Sequence, residues 1–182
     1  MTTSGVTTAH ALLEATIDRA LKPDASLRQH IKALGYDMER PVSRYPGTVS
    51  RACFEFAAKM LAPGKAPADA ERMMGRAVVL AYLDTLVGRV LRPLLERVGP
   101  RRALPRVPAI FKGGFTGVEC SIEEIEPGSW RFISRGIPVP TQGMVGALQA
   151  GLGVVGAKDP RVEVERDISG VQTYRLLFDV AG

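Results

Sequence analysis

The spacing of hydrophobic positions changes once along this chain, near residue 115. Ahead of that point apolar residues recur at helical spacing; behind it they alternate with polar ones, as in strands. Leu12, Leu13, Ile17 and Leu21 predict a helix over 7–21. Ser26 with Gln29 reads as a capping box for a short helix carrying Leu27, Ile31 and Leu34, and Gly35 as its stop. In the connector ERPVSRYPGT, the residues Arg40, Arg44 and Tyr45 are expected to be exposed. The next helix, over 48–61, places Val49, Cys53, Phe56 and Met60 on one face. The longest periodic segment, 68–98, has a stripe of Val79, Leu83, Leu86, Val90 and Leu94, widened by Ala77, Val78, Leu80, Tyr82 and Val87. It reads as a central helix buried on most faces, kinked or broken at Pro93. A proline-restricted helix over 101–111 and a turn at Gly113 and Gly114 close the helical part.

The second part predicts two hairpins with a helix between them. Val118, Cys120 and Ile122 share one strand face, answered by Trp130 and Phe132 across the turn EPGS. Glu119 and Glu123 then stand opposite Arg131 and Arg135 as a charge ladder. The last hairpin directs Val162 and Val164 inward, with Tyr174, Leu176, Phe178 and Val180. The fold class is therefore α+β: N-terminal helices and a long central helix packed with a four-stranded, largely antiparallel sheet. One domain over 1–182 is expected, with a helical part (1–112) and a hairpin–helix–hairpin part (113–182).

Between Gly136 and Lys158 no residue is charged. Pro138 and Pro140 delay the helix there to 141–157, which reaches only about 25 Å at 1.5 Å per residue, too short and too glycine-rich for a membrane span. Met144, Leu148, Leu152 and Val155 form an apolar stripe, and Gly143, Ala147, Ala150 and Val154 a stripe of small residues. Small residues admit a close neighbour. Plain core, a pocket wall and a homodimer seam are all open readings of this helix.

Composition changes this picture little. With 182 residues, 46% hydrophobic and 24% charged, the chain is ordinary globular material. Its net charge of +5 is too small to demand nucleic acid. Arg101, Arg102, Arg106 and Lys112 do concentrate in one basic segment. Cys53 and Cys120 fit neither a zinc spacing nor a disulfide framework, which suits a reducing cytoplasm. The N-terminus has no secretory pattern. His10 and His30 are the only histidines, both in the N-terminal helices; no GxSxG and no phosphate loop occurs. Neither a catalytic centre nor a metal site is expected, and no cofactor.

The segments GYDMERPVSRYPGTVSRACFEFAAKMLAPG, MGRAVVLAYLDTLVGRVL and GPRRALPRVPAIFKGG resemble a paralogous myxobacterial family, domain of unknown function 2378, over nearly the whole chain. The family brings no activity with it. The order hairpin, PTQGMVGALQAGLGVVGA, hairpin is also similar to 4-vinyl-reductase-type domains, which are related to trafficking-complex subunits and haem-based nitric oxide sensors. This second resemblance implies small-molecule or partner binding, often as dimers. The cysteines of the vinyl-reductase type are missing near the last hairpin. The tyrosine–serine–arginine pattern of the haem sensors is not reproduced, since Ser134 and Arg135 stand at another spacing.

The resulting expectation is a non-enzymatic cytoplasmic sensor or interaction domain, a homodimer that holds a small apolar ligand or a protein partner. Trp130, Arg135, Gln142, Gly143, Met144, Ala147 and Gln149 are the residues expected at the ligand site or seam. The alternative is a nucleic-acid-associated regulator using Arg101, Arg102, Arg106 and Lys112.

Overall fold

The first strand, β1 (Thr7–Ala9), pairs antiparallel with β2 (Arg44–Pro46) on one side and β3 (Phe115–Thr116) on the other. The structure, a computed structural model, describes residues 5–179, leaving out the side chains at 86 and 87. This small sheet ties the ends of the helical part together. Its strands are two or three residues long, and the expected 7–21 helix starts only after it. That helix, α1, is α-helical over His10–Leu13 and π-helical over Glu14–Leu21.

Helix α2 (Ala25–Ala33) ends before Gly35, whose φ of +102° favours glycine. Its cap is Asp24, which accepts from the Leu27 amide at 2.9 Å, so the Ser26–Gln29 box does not form. Tyr45 departs from expectation too. As the middle residue of β2 it is buried and accepts from the Val42 amide through its hydroxyl. Helix α3 (Gly47–Leu61) turns Ser50, Cys53, Phe54, Ala57 and Ala58 inward, one step round from the expected face, and Met60 is exposed.

The long 68–98 segment is two helices, α4 (Pro67–Leu83) and α5 (Leu86–Val98). The break falls at Asp84 and Thr85, not at Pro93. Thr85 caps α5 by accepting from the Gly88 amide at 3.1 Å while its hydroxyl donates to the Tyr82 carbonyl at 2.7 Å. A Cβ at Gly88 would lie 2.1 Å from that carbonyl oxygen, so only glycine permits so sharp a corner. Helix α5 continues through Pro93. Val90 and Leu94 are 67% and 58% exposed, against the expectation of a mostly buried helix. The side chains of Leu86 and Val87, and Val180 at the other end, lie outside the described residues. The chain then turns through α6 (Pro100–Ala103), a short 3-10 turn (Leu104–Arg106) and α7 (Val107–Gly114). Gly113 and Gly114 end that helix instead of forming a separate turn.

Strands β4 (Glu119–Glu126), β5 (Ser129–Arg135), β6 (Lys158–Ile168) and β7 (Val171–Asp179) form the main antiparallel sheet in the order β4-β5-β7-β6. Helix α8 (Thr141–Val154) lies on it. Trp130, Phe132, Tyr174, Leu176 and Phe178 meet Met144, Leu148 and Leu152 in one core; Ile17, Ile31, Tyr36, Cys53, Phe54 and Met74 form a second within the helices. Val164 stands opposite the buried Tyr174 on the core-facing side of β6, as expected, but at the sheet edge it is 38% exposed. The other sheet face carries the expected ladder, Glu123–Arg131 and Glu119–Arg135. A bulge between Val164 and Arg166 lets Glu165 bridge Arg131 and Arg175 at 2.9 and 2.8 Å. These hydrogen bonds, led by that from Arg131, hold the Glu165 carboxyl below the usual carboxylate range. Among the described residues no helix is long and apolar enough to cross a membrane.

Candidate functional site

Helix α8 settles much of the site geometry because the first half of its small-residue stripe, Gly143 and Ala147, is already occupied. A Cβ on Gly75 of α4 would lie 1.9 Å from the Gly143 carbonyl oxygen, and a Cβ on Gly146 would lie 2.0 Å from that of Arg72. The two helices therefore touch backbone to backbone. A Cβ on Gly143 would strike the Phe54 ring at 2.5 Å. Met144 is buried on the opposite face, in the sheet core. Gln142 accepts from Arg72 Nε at 2.6 Å, and Ala147 is half-buried against α4. Gly143 and Ala147 are thus covered from within the chain. Of the residues expected here, only Gln149 reaches an open cleft from α8, with its amide donating to the Pro160 carbonyl at 2.9 Å.

That cleft, about 900 Å³, lies between α4, α5, the last turns of α8 and the start of β6. Leu80, Ala150 and Val154 supply apolar wall; Arg76, Arg92, Glu96, Asp159 and Arg161 supply charge. Arg92 is paired with Glu96. A second cleft, about 300 Å³, lies on the other side of the α8–β6 turn and shares Gly156 with the first. Trp130 and Phe178 line it from the sheet, Val98 and Gly99 from the end of α5, and Arg101, Arg102, Lys158, Glu124 and Asp179 carry its charges.

The second cleft joins two groups of residues that are separate in the sequence. Trp130 pairs across the sheet with Glu124 and Leu176, which sets its ring on the face toward the helices. Glu124 binds Arg101 at 3.3 Å and so draws the start of the basic segment to the mouth of the cleft. Trp130 is only 5% exposed, yet its indole Nε1 has no hydrogen-bond partner. A buried donor left unpaired costs about 1–3 kcal/mol. Arg135 is remote from this, on the outer sheet face with Glu119. Arg106 and Lys112 are exposed on the helices that follow and line neither cleft. Gly99, Gly128, Lys158 and Phe178 were not expected at a site from the sequence, since no local pattern brings a helix end, two turns and two strand ends to one place.

The fold recurs among solved H-NOX structures. An H-NOX protein from S. oneidensis in the Fe(II)NO ligation state superposes with a TM-score of 0.64 at 8% identity, covering 93% of this chain and 99% of that one. A Cs H-NOX mutant gives 0.63 at 13%, covering 93% and 94%. The Fe(II) unliganded H-NOX protein from K. algicida gives 0.58 at 8%, covering 95% and 97%. At such identities the likeness is one of fold. Compared by sequence, no curated protein matches. The chain belongs to the family described as "Protein of unknown function (DUF2378)", whose model matches residues 3–177.

The residues present do not fit a haem. Haem iron takes its axial ligand from His, Cys, Met or Tyr. None of these lines either cleft among the described residues. His10 lies beside Tyr36 and Tyr45 in the helical part, and His30 stacks on Phe56. Burial pushes the Cys53 thiol up to about 12 and the Cys120 thiol to about 11, away from the thiolate that binds metal. Between α8 and the sheet, Met144, Leu148, Phe132, Tyr174 and Leu176 are packed together in the core.

Proposed function

We propose that this chain is a non-enzymatic cytoplasmic sensor domain that takes a small ligand in the Trp130 cleft. The carrying observation is the unpartnered indole N–H of Trp130 in the wall of a cleft rimmed by Arg101, Arg102 and Lys158. A ligand with an apolar body and one acidic group suits that lining. Its body would pack on Trp130 and Phe178, and its anion would meet the guanidinium groups. The volume of about 300 Å³ is at the lower end for a ligand site, so the ligand is small. The non-enzymatic reading rests on the lining of both clefts, which among the described residues holds no histidine and no serine, threonine or cysteine nucleophile. The cytoplasmic reading rests on two free thiols.

The test is native mass spectrometry of the purified protein, with a titration of anilinonaphthalene sulfonate followed by Trp130 emission. Trp130 is the sole tryptophan, so its signal reports this cleft alone. A defined co-purifying mass, or energy transfer that Arg102→Ala and Lys158→Ala both weaken, supports the reading. Dye binding indifferent to both substitutions, with no added mass, overturns it. The native mass also reports whether the expected homodimer forms.

A further inference from the structure

Helix α5 is the most amphipathic helix of the chain, yet none of its described leucines or valines is buried or joins either core. Val90, Pro93, Leu94 and Arg97 fall at i, i+3, i+4 and i+7, a single stripe, and all four are exposed. The charge around this stripe is lopsided. Residues 86–112 hold seven Lys and Arg against one acid, Glu96, which leaves +6. The whole chain carries +5, so everything outside this segment sums to −1. All seven cations are exposed. Arg92 and Arg101 have carboxylate partners. Arg89, Arg97, Arg102, Arg106 and Lys112 have none among the described residues.

We infer that the outer stripe of α5, with the basic segment that follows it, docks on an anionic lipid surface. The chemistry selects this occupant over two others. A second copy would bring +6 against +6. A nucleic acid would use the cations but not Val90 and Leu94, and the one aromatic of residues 86–112, Phe111, is packed against the sheet core and is not free to stack on a base. An amphipathic helix with apolar side chains between arginines suits the boundary between acyl chains and anionic headgroups. Such a helix lies in the surface without crossing it. This inference does not depend on the Trp130 cleft.

The experiment is sedimentation of the full chain with phosphatidylcholine vesicles, with and without phosphatidylserine, in parallel with titration of a DNA duplex. Binding is expected only with phosphatidylserine, and it should fall as salt is added. Arg89→Ser with Arg97→Ser should lower partitioning about fivefold per cation removed. Val90→Ser with Leu94→Ser, at positions too exposed to disturb the fold, should lower it about tenfold or more. Circular dichroism checks that each variant stays folded. No binding to anionic vesicles overturns the inference. So does vesicle binding unchanged by the Val90 and Leu94 substitutions, or duplex binding without vesicle binding.

Discussion

Replacing Gly146 by alanine tests the contact on which the position of α8 depends. The new Cβ would meet the Arg72 carbonyl oxygen at 2.0 Å, whereas ordinary contact begins at 3.4 Å. The obstacle is backbone, so no side-chain rotation relieves it, and α4 and α8 must part by about 1.4 Å. A gap of that order forfeits about half of each atom-pair attraction across the interface. Overpacking against backbone in a close contact of this kind costs about 2 kcal/mol. Gly151 is the control. It sits in the same helix with nothing within 4 Å of its Cβ position, so alanine there should stabilise by about 1 kcal/mol. Urea unfolding followed by circular dichroism should therefore separate the two variants by about 3 kcal/mol, Gly151→Ala above the parent and Gly146→Ala below it. Equal stability of the two would refute the close crossing.

Asp18 is held above the usual carboxylate range, first by burial and then by Glu14, against the opposing hydrogen bond from the Tyr36 hydroxyl. In the fold it binds its proton more tightly than in the unfolded chain, so stability is lost as pH rises above 3.8 through the raised value. Asp18→Asn should raise the melting temperature at pH 7, and the gain should vanish below pH 3.8. Cys53 and Cys120, pushed up to about 12 and about 11 by burial, should react slowly with a disulfide reagent at pH 8 and rapidly after unfolding. Two fast thiols in the native protein would contradict the packing around them. Thr85→Ala removes the cap of α5 and should cost about 1 kcal/mol in thermal unfolding, with faster amide exchange in that helix than in α4.

Most of the elements were legible because each is longer than its own period. Helices α2, α3 and α8, both hairpins and the Glu–Arg ladder follow from spacing alone. Three features were not. The three-stranded sheet is built from strands too short to show alternation, so Tyr45 reads as loop although its ring is core. The break at Asp84 is hidden by apolar residues that keep their rhythm across it. An Asp–Thr pair three residues ahead of Gly88 was the available signal, a cap followed by a residue able to pass close to a carbonyl. The face of α3 turned by one step because Ser50, Phe54 and alanines are buried there, while Val49 is only partly buried and Met60 is exposed. At the site, Trp130 and Arg101 could each be picked out, but not their meeting. That depends on Glu124 reaching Arg101 across a register which only the paired strands define.

The pairing of β1 with β3 bears on the order in which the protein is made. Thr7 and Thr116, bonded through their hydroxyls, are separated by 109 positions. Closing a loop of that length costs about 4 kcal/mol of chain entropy. At ribosomal speeds β1 leaves about 5–20 s before its partner is synthesised. Through that interval one edge of β1 can be covered by β2 while the other stays open. A nascent chain stalled short of Phe115 would therefore present an unpaired strand edge, the feature from which strand-to-strand aggregation starts.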